Sequence, residues 1–320
     1  MERGYPTANM TRSEDFVSRL RAGDVLVADG ATGTMLQELG LEAGIAPEAW
    51  ILEQPDRIRA LHRAYVGAGV DLILTCTFGG NRFRLASYGL ADRVFEINRR
   101  AAELARQVAD SASASNGART IFVGGDMGPT GHLLKPLGDV THDEVTAAYA
   151  EQATGLARGG ADFLVIETMS DLAEAHAAIE GARRATDLPI ICTFSFDTHG
   201  RTMMGLKPET VAQEIGARVE GVGANCGRDP AEFIDFVRTM RQTAPKAILW
   251  AKPNAGLPHL VDDHVEYDAT PESMSQIVPL LRENGAQVIG GCCGTTPAHL
   301  AAMVAALREQ SPIVIEKEEE

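Results

Sequence analysis

The stretch Ala286-Gln287-Val288-Ile289-Gly290-Gly291-Cys292-Cys293-Gly294-Thr295-Thr296-Pro297 decides the fold. An apolar run leads into a glycine-bearing turn, and a helix is expected from Ala298 to Leu307. Working back along the chain, the same strand–turn–helix unit recurs. The other apolar runs are Val25–Ala28, Val70–Thr77, Thr120–Gly125, Asp162–Thr168, Pro189–Phe196, Gly221–Asn225 and Ala247–Pro253. Helical patterns lie between them at Arg57–Gly67, Thr141–Gly159, Leu172–Arg184, Thr210–Val219 and Ala231–Thr243. The runs are continuous rather than alternating, as parallel strands covered on both faces require. Eight such units predict an α/β fold, a single-domain (β/α)8 TIM barrel. The expected boundaries are a flexible segment at 1–14, the barrel at 15–310 and an acidic tail at 311–320. The polar stretch Asp110–Gly117 reads as a loop before the third strand.

Composition narrows the class. Of 320 residues, 45% are hydrophobic and only 5% aromatic, which predicts an aliphatic, alanine-rich core. The net charge of −15 argues against a nucleic-acid binder. The N-terminus has no apolar signal region and no apolar run reaches membrane-spanning length. A cytoplasmic protein with no membrane contact is therefore expected; no oligomeric state follows. Five cysteines, Cys76, Cys192, Cys226, Cys292 and Cys293, are too few and of the wrong number for a disulfide framework.

In a barrel of this kind, chemistry collects where the strands end. Three cysteines fall there: Cys226 after the sixth strand, and Cys292 and Cys293 after the eighth. Neighbouring side chains of a strand point to opposite faces. Both thiols can face one point only if the backbone bends, which the flanking glycines permit. Three readings of the trio stand on spacing alone: a metal site, burial as small hydrophobes, and a vicinal disulfide. Three thiolates leave a tetrahedral zinc with one open position. Such a centre suits a fourth sulfur, holding a substrate thiol as thiolate near neutral pH. Cys192 reads as core, and Cys76 as a residue near the mouth.

Other strand ends offer polar groups. The turn Asp29–Thr34 is either an anion cradle at a helix start or a plain turn capped by Thr34. Glu167, ending the apolar run from Phe163, is a carboxylate that needs a cation. That cation is either an arginine or a substrate ammonium. His132 and His199 read as solvated loop residues, and His62 as satisfied packing on a helix face.

Together, Asp29–Thr34, Thr75–Phe78 with Asn81, Gly128–Gly131, Glu167–Thr168, Asn225–Cys226, Pro253–Gly256 and Gly290–Pro297 resemble the zinc-dependent homocysteine S-methyltransferase family. The likeness spans roughly residues 15–308 and is nearest to the homocysteine-binding module of cobalamin-dependent methionine synthase. It implies that Cys226, Cys292 and Cys293 bind Zn2+ and that homocysteine adds the fourth sulfur. It implies Glu167 as the catalytic-site carboxylate, with Asp29, Gly30, Thr77, Glu167 and Asn225 binding substrate. The reaction implied is methyl transfer to sulfur, giving methionine. The donor would be a small onium compound or a methyl group on a separate corrinoid protein. Betaine is one such onium; relatives that use it carry tyrosines where this chain has Gly79 and Thr168, with Trp50 left as a candidate wall. A non-catalytic barrel that binds zinc and an amino acid is the alternative of a different class.

Overall fold

The structure is a computed structural model that describes residues 10–42, 44–115, 119–261 and 264–309. The expected tail at 311–320 and residues 1–9 lie outside the described residues. Eight parallel strands form one sheet: β1 (Leu26–Val27), β2 (Leu72–Leu74), β3 (Phe122–Met127), β4 (Phe163–Met169), β5 (Ile190–Phe194), β6 (Gly221–Cys226), β7 (Ile248–Pro253) and β10 (Val288–Ile289). An antiparallel hairpin, β8 (Pro258–Val261) and β9 (His264–Tyr267), follows β7. The hairpin was not among the elements expected from the sequence.

The sheet runs β1-β10-β7-β6-β5-β4-β3-β2, and a parallel bridge between Ala28 and Leu72 closes β1 onto β2. Side chains complete that short seam. Asp71 Oδ2 accepts from Val27 N at 2.8 Å, and Asp29 Oδ2 accepts from Leu74 N at 2.7 Å. The result is the expected (β/α)8 barrel, with each predicted run in its place.

Two apolar layers hold it. The outer one packs strands against helices through residues such as Ala101, Ala105, Val123, Leu164, Ala178 and Val222. The inner one fills the barrel's N-terminal half with Leu26, Leu72, Phe122, Phe163, Ile191, Ile248, Trp250 and Val288. Aromatic residues are scarce in the chain, yet several concentrate here. Glycine makes room for them. A Cβ on Gly223 would stand 2.7 Å from the Trp250 Cβ, and one on Gly124 would stand 2.7 Å from the Phe163 ring.

A helix, α1 (Arg12–Arg21), plugs that end. Thr11 and Glu14 form a capping box, which fixes where the helix starts. Phe16 stacks on Phe163 with centroids 4.1 Å apart and meets Phe122 edge-on at 5.4 Å. Ser13 Oγ donates to the Asp162 carbonyl at 2.6 Å. Residues 12–14, expected in a flexible segment, thus belong to a packed helix. The expected loop at 110–117 is corrected over 110–115, which belong to the helix Val94–Ser115, while 116 and 117 lie outside the described residues. Asp110 pairs with Arg12 at 2.9 Å and with Arg106 at 3.0 Å, while Ala109 is buried beneath. Tertiary contacts here override a weak local preference.

Candidate metal centre

The three cysteines meet because three strand ends are tied together. β6 finishes with Cys226 at φ 61° and Gly227 at φ 74°, so the chain turns twice through left-handed conformations. Cys292 N donates to the Pro253 carbonyl at 2.8 Å, which anchors the last loop to β7. Asn254 cross-links all three ends: its Oδ1 accepts from Cys293 N at 3.0 Å and its Nδ2 donates to the Gly227 carbonyl at 2.8 Å. Gly294, at φ 77°, leaves space for the Tyr267 ring of β9, whose Cγ would stand 2.2 Å from a Cβ there.

The sulfur atoms lie within 4.8 Å of one another, and Cys226 Sγ and Cys292 Sγ are 3.0 Å apart. Behind them sits Asn225. Its Nδ2 faces Cys226 Sγ at 3.4 Å and Cys292 Sγ at 3.8 Å. Hydrogen bonds from Cys226 and Cys292 pull Cys293 down to about 3, making it the thiolate of the set. Its bonds to the other two sulfurs, with burial, hold Cys226 well above the usual thiol range. At Cys292 the bond with Cys226 favours the thiolate, but the contact with Cys293 and burial outweigh it, giving about 11. A divalent cation would complete such a set by displacing the remaining thiol protons. Sulfurs around one tetrahedral zinc, each about 2.3 Å from it, stand roughly 3.8 Å apart. Donor type fits a soft, thiolate-binding metal, toward which the Cys226–Cys292 pair would open from its 3.0 Å, with one protein ligand fewer than a closed structural site uses.

The thiols open on a cavity of about 450 Å³ at the barrel mouth, also lined by Gly30, Phe78, Asp126, Glu167, Lys252 and Tyr267. Its polar inner end is built by charge. Lys252 of β7 reaches Asp29 with Nζ 2.9 Å from Oδ1, both almost fully buried. Burial opposes the charge on Lys252, but Asp29 and Glu167 outweigh it and hold the ammonium above its ordinary range. Burial raises Asp29, and Lys252 works against that rise. Glu167 is pushed up to about 7 by burial, with Lys252 opposing. Burial and the nearby Glu167 drive Asp126 well above the carboxylate range.

One backbone feature aims Glu167. The β4–β5 register shifts between Ile166 and Met169, and Thr168 takes φ 63°, unusual for a β-branched residue. Asn225 holds it there: Oδ1 accepts from Thr168 N at 2.9 Å, and Nδ2 donates to Thr168 Oγ1 at 2.7 Å. Strain of this kind persists only where surrounding contacts over-determine it.

The residues expected from the sequence divide into two groups. Cys226, Cys292, Cys293, Glu167 and Gly30 line the cavity. Gly30 also needs its lack of a side chain, since a Cβ would lie 2.7 Å from Thr295 Oγ1. Asp29, Thr77 and Asn225 are turned inward. Asp29 is occupied by Lys252 and Leu74 N. Thr77 Oγ1 donates to the Asp126 carbonyl at 2.7 Å. Asn225 spends its amide on Thr168, Thr193 and the sulfurs. The turn after Asp29 has Thr32 rather than Thr34 at the helix N-cap, with no side-chain capping bond. Trp50 is buried under the Arg57 guanidinium, 4.9 Å from its ring, and gives the cavity no wall. His62 is packed but not satisfied, as its buried Nε2 has no partner among the described residues. Cys192 is core and Cys76 lines the mouth, both as expected.

Sequence reasoning missed Lys252 and Asp126. The available signal was charge inside an apolar strand, in Ile248-Leu249-Trp250-Ala251-Lys252-Pro253 and in Phe122–Met127.

The chain is similar to known proteins. The chain is 34% identical to a methionine synthase of Mycobacterium leprae over 94% of its own length, and 35% identical to that of Mycobacterium tuberculosis over 88%. It spans about a quarter of those relatives, 26% and 24% of their lengths. The homocysteine methyltransferase MmuM of Escherichia coli, in its oxidized form, superposes with a TM-score of 0.73 at 26% identity, covering 88% of this chain and 96% of that one. Its metallated form gives a TM-score of 0.75 at 24% identity, covering 92% and 99%. Residues 26–307 match the homocysteine S-methyltransferase family, and the chain belongs to that family.

Proposed function

We propose that this chain binds Zn2+ through Cys226, Cys292 and Cys293 and transfers a methyl group to the sulfur of homocysteine, giving methionine. The observation that carries the reading is the three-sulfur cluster opening on a cavity with a carboxylate at its inner end. When bound, zinc supplies Lewis acidity that keeps a thiol in its nucleophilic form near neutral pH. The chain's own residues do the rest. Glu167 faces the cavity and pairs with the amino acid's ammonium. The Gly30–Thr34 turn borders the cavity with its backbone and seats the carboxylate. Asn225 fixes Cys226 and Cys292 from behind while keeping Thr168 in its strained turn. Lys252 neutralises Asp29, so the inner end is rigid before substrate arrives. Held so, the sulfur meets the methyl carbon in line: the new S–CH3 bond forms as the donor leaves with its bonding pair, and orientation supplies much of the rate.

The donor we favour is a methyl group carried on a corrinoid held by a protein module. Exposed apolar side chains beyond the barrel's strand ends, Leu133, Leu137, Met203 and Leu257 on loops and Val265 on β9, support a macromolecular carrier. A small onium donor is the second reading, favoured by the rings of Phe78, Tyr88 and Tyr267 on the cavity wall. Betaine in an aromatic cage of the tyrosine-rich type fits less well. Where a side chain at residue 79 would stand, the Glu48 carboxylate sits instead, accepting Gly79 N at 2.6 Å. The test is methionine formation by zinc-loaded protein from homocysteine with methylcobalamin, betaine and S-methylmethionine in parallel. Product from one donor class supports transfer. Bound zinc and homocysteine with no product from any donor would leave a binding barrel.

A further inference from the structure

The inner end of the cavity holds more negative charge than its one lysine can answer. Asp29, Asp126 and Glu167 converge there from β1, β3 and β4, and Lys252 is committed to Asp29 with Nζ 2.9 Å from Oδ1. That leaves Asp126 and Glu167, which lie on adjacent strands in the register Met127 to Ile166 and are hydrogen-bonded to each other.

Asp126 has the most to gain from a ligand. It is 3% exposed, it lines the cavity, and its Oδ1 has no partner among the described residues. A buried acceptor left without a donor is costly, and a carboxylate more so than a neutral group. The backbone anchors the residue, leaving the side chain to Glu167 and the cavity. Asp126 N donates to Thr75 Oγ1 at 2.9 Å, and its carbonyl accepts from Thr77 Oγ1 at 2.7 Å and Gln152 Nε2 at 3.2 Å. The missing partner is a donor that carries positive charge, and it must come from the cavity.

We propose that Asp126 and Glu167 form a two-carboxylate seat for the α-ammonium of the substrate, and that Asp126 selects amino-acid thiols over thiols lacking the amino group. The identity of the thiol rests on the homocysteine reading above; the ammonium seat does not. A ligand spanning the cavity places sulfur at the β6 and β10 ends and ammonium at the β3 and β4 ends. The specificity arises because a ligand without the ammonium leaves the buried Asp126 Oδ1 without a donor.

The experiment is calorimetric binding to zinc-loaded protein of homocysteine and of 4-mercaptobutanoate, its counterpart without the amino group. Asp126→Asn should weaken homocysteine roughly 10- to 100-fold, the range of a charged hydrogen bond. It should leave 4-mercaptobutanoate within about twofold, and that retained binding shows that fold and metal site are intact. Asp126→Glu should recover part of the homocysteine affinity. Equal weakening of both thiols, or unchanged homocysteine binding, would overturn the proposal. If unaltered protein binds neither thiol, the homocysteine reading fails on its own. The seat is then decided by L-2-aminobutanoate against butanoate: a preference lost in Asp126→Asn upholds it, and no preference refutes it.

Discussion

At the end of the barrel where the strands begin, Phe16 stacks on Phe163, Phe163 meets Trp250, and almost nothing polar intervenes. At the end where they finish, the thiols of Cys226, Cys292 and Cys293, the carboxyl groups of Asp126 and Glu167 and the Lys252 ammonium gather on the wall of a cavity of about 450 Å³. Backbone conformation differs as well. Two of the three non-glycine residues with positive φ among the described residues, Thr168 and Cys226, sit at this second end. The first end is packed almost wholly from apolar side chains, with the unpartnered Trp250 Nε1 as an exception, while the second breaks several rules of a stable core at once. Unfavourable charge burial and strained turns gathered in one place, balanced by a well-packed layer behind them, are what a working site on a stable scaffold looks like.

The sharpest way to break this comparison is to alter each end separately. Cys292→Ser should abolish methyl transfer, by about 10³-fold or more, which corresponds to ~4 kcal/mol of lost transition-state stabilisation. Thermal stability of the metal-free protein should change little, because this side chain faces a cavity rather than the core. Comparable losses of stability and turnover would erase the distinction between the ends.

Phe16→Ala is the reciprocal change. Truncating a buried aromatic residue costs about 3–5 kcal/mol, readable as a lower denaturant midpoint. Zinc content and the KM for homocysteine, per folded molecule, should stay as they were. A KM that rises with the loss of stability would mean that the plug at one end tunes the mouth at the other.

The smallest expected effect carries the most information. Glu167 has a folded-state pKa raised to about 7 from an ordinary 4.5. Between those values the folded chain binds more protons than the unfolded one, so stability falls as pH rises, and the full penalty is present above pH 7. Glu167→Gln removes that penalty. The metal-free variant should be more stable than the parent by about 2–3 kcal/mol at pH 8, with the gap closing toward pH 4.5. Its homocysteine binding should weaken at the same time. A variant less stable at pH 8 would show that Glu167 supports the fold instead of burdening it.

Much of this was readable in advance, and the gaps have physical causes. Eight continuous apolar runs gave the strands because burial on both faces leaves no alternation to misread. The cysteine trio was legible because paired thiols between glycines have few other uses. Lys252 and Asp126 were hidden because a charge in a buried strand acquires meaning only from what stands opposite it, across the barrel. Asp29, Thr77 and Asn225 were placed at the right end, but their side chains turn inward, a distinction of one strand face that spacing does not settle. The plug escaped notice since Phe16 and Leu20 lie in a polar stretch, and their periodicity is too short to stand out. Trp50 is no wall because Arg57 covers its ring, a contact that sequence spacing does not specify.

The measurement closest to the central claim is X-ray absorption at the zinc edge on the reconstituted chain, with and without homocysteine. Three sulfur ligands and one lighter atom are predicted for the protein alone, and four sulfurs once homocysteine is added, with one sulfur lost in Cys292→Ser. A coordination shell that homocysteine leaves unchanged, or full zinc binding by Cys292→Ser with the same sulfur count, would contradict the account.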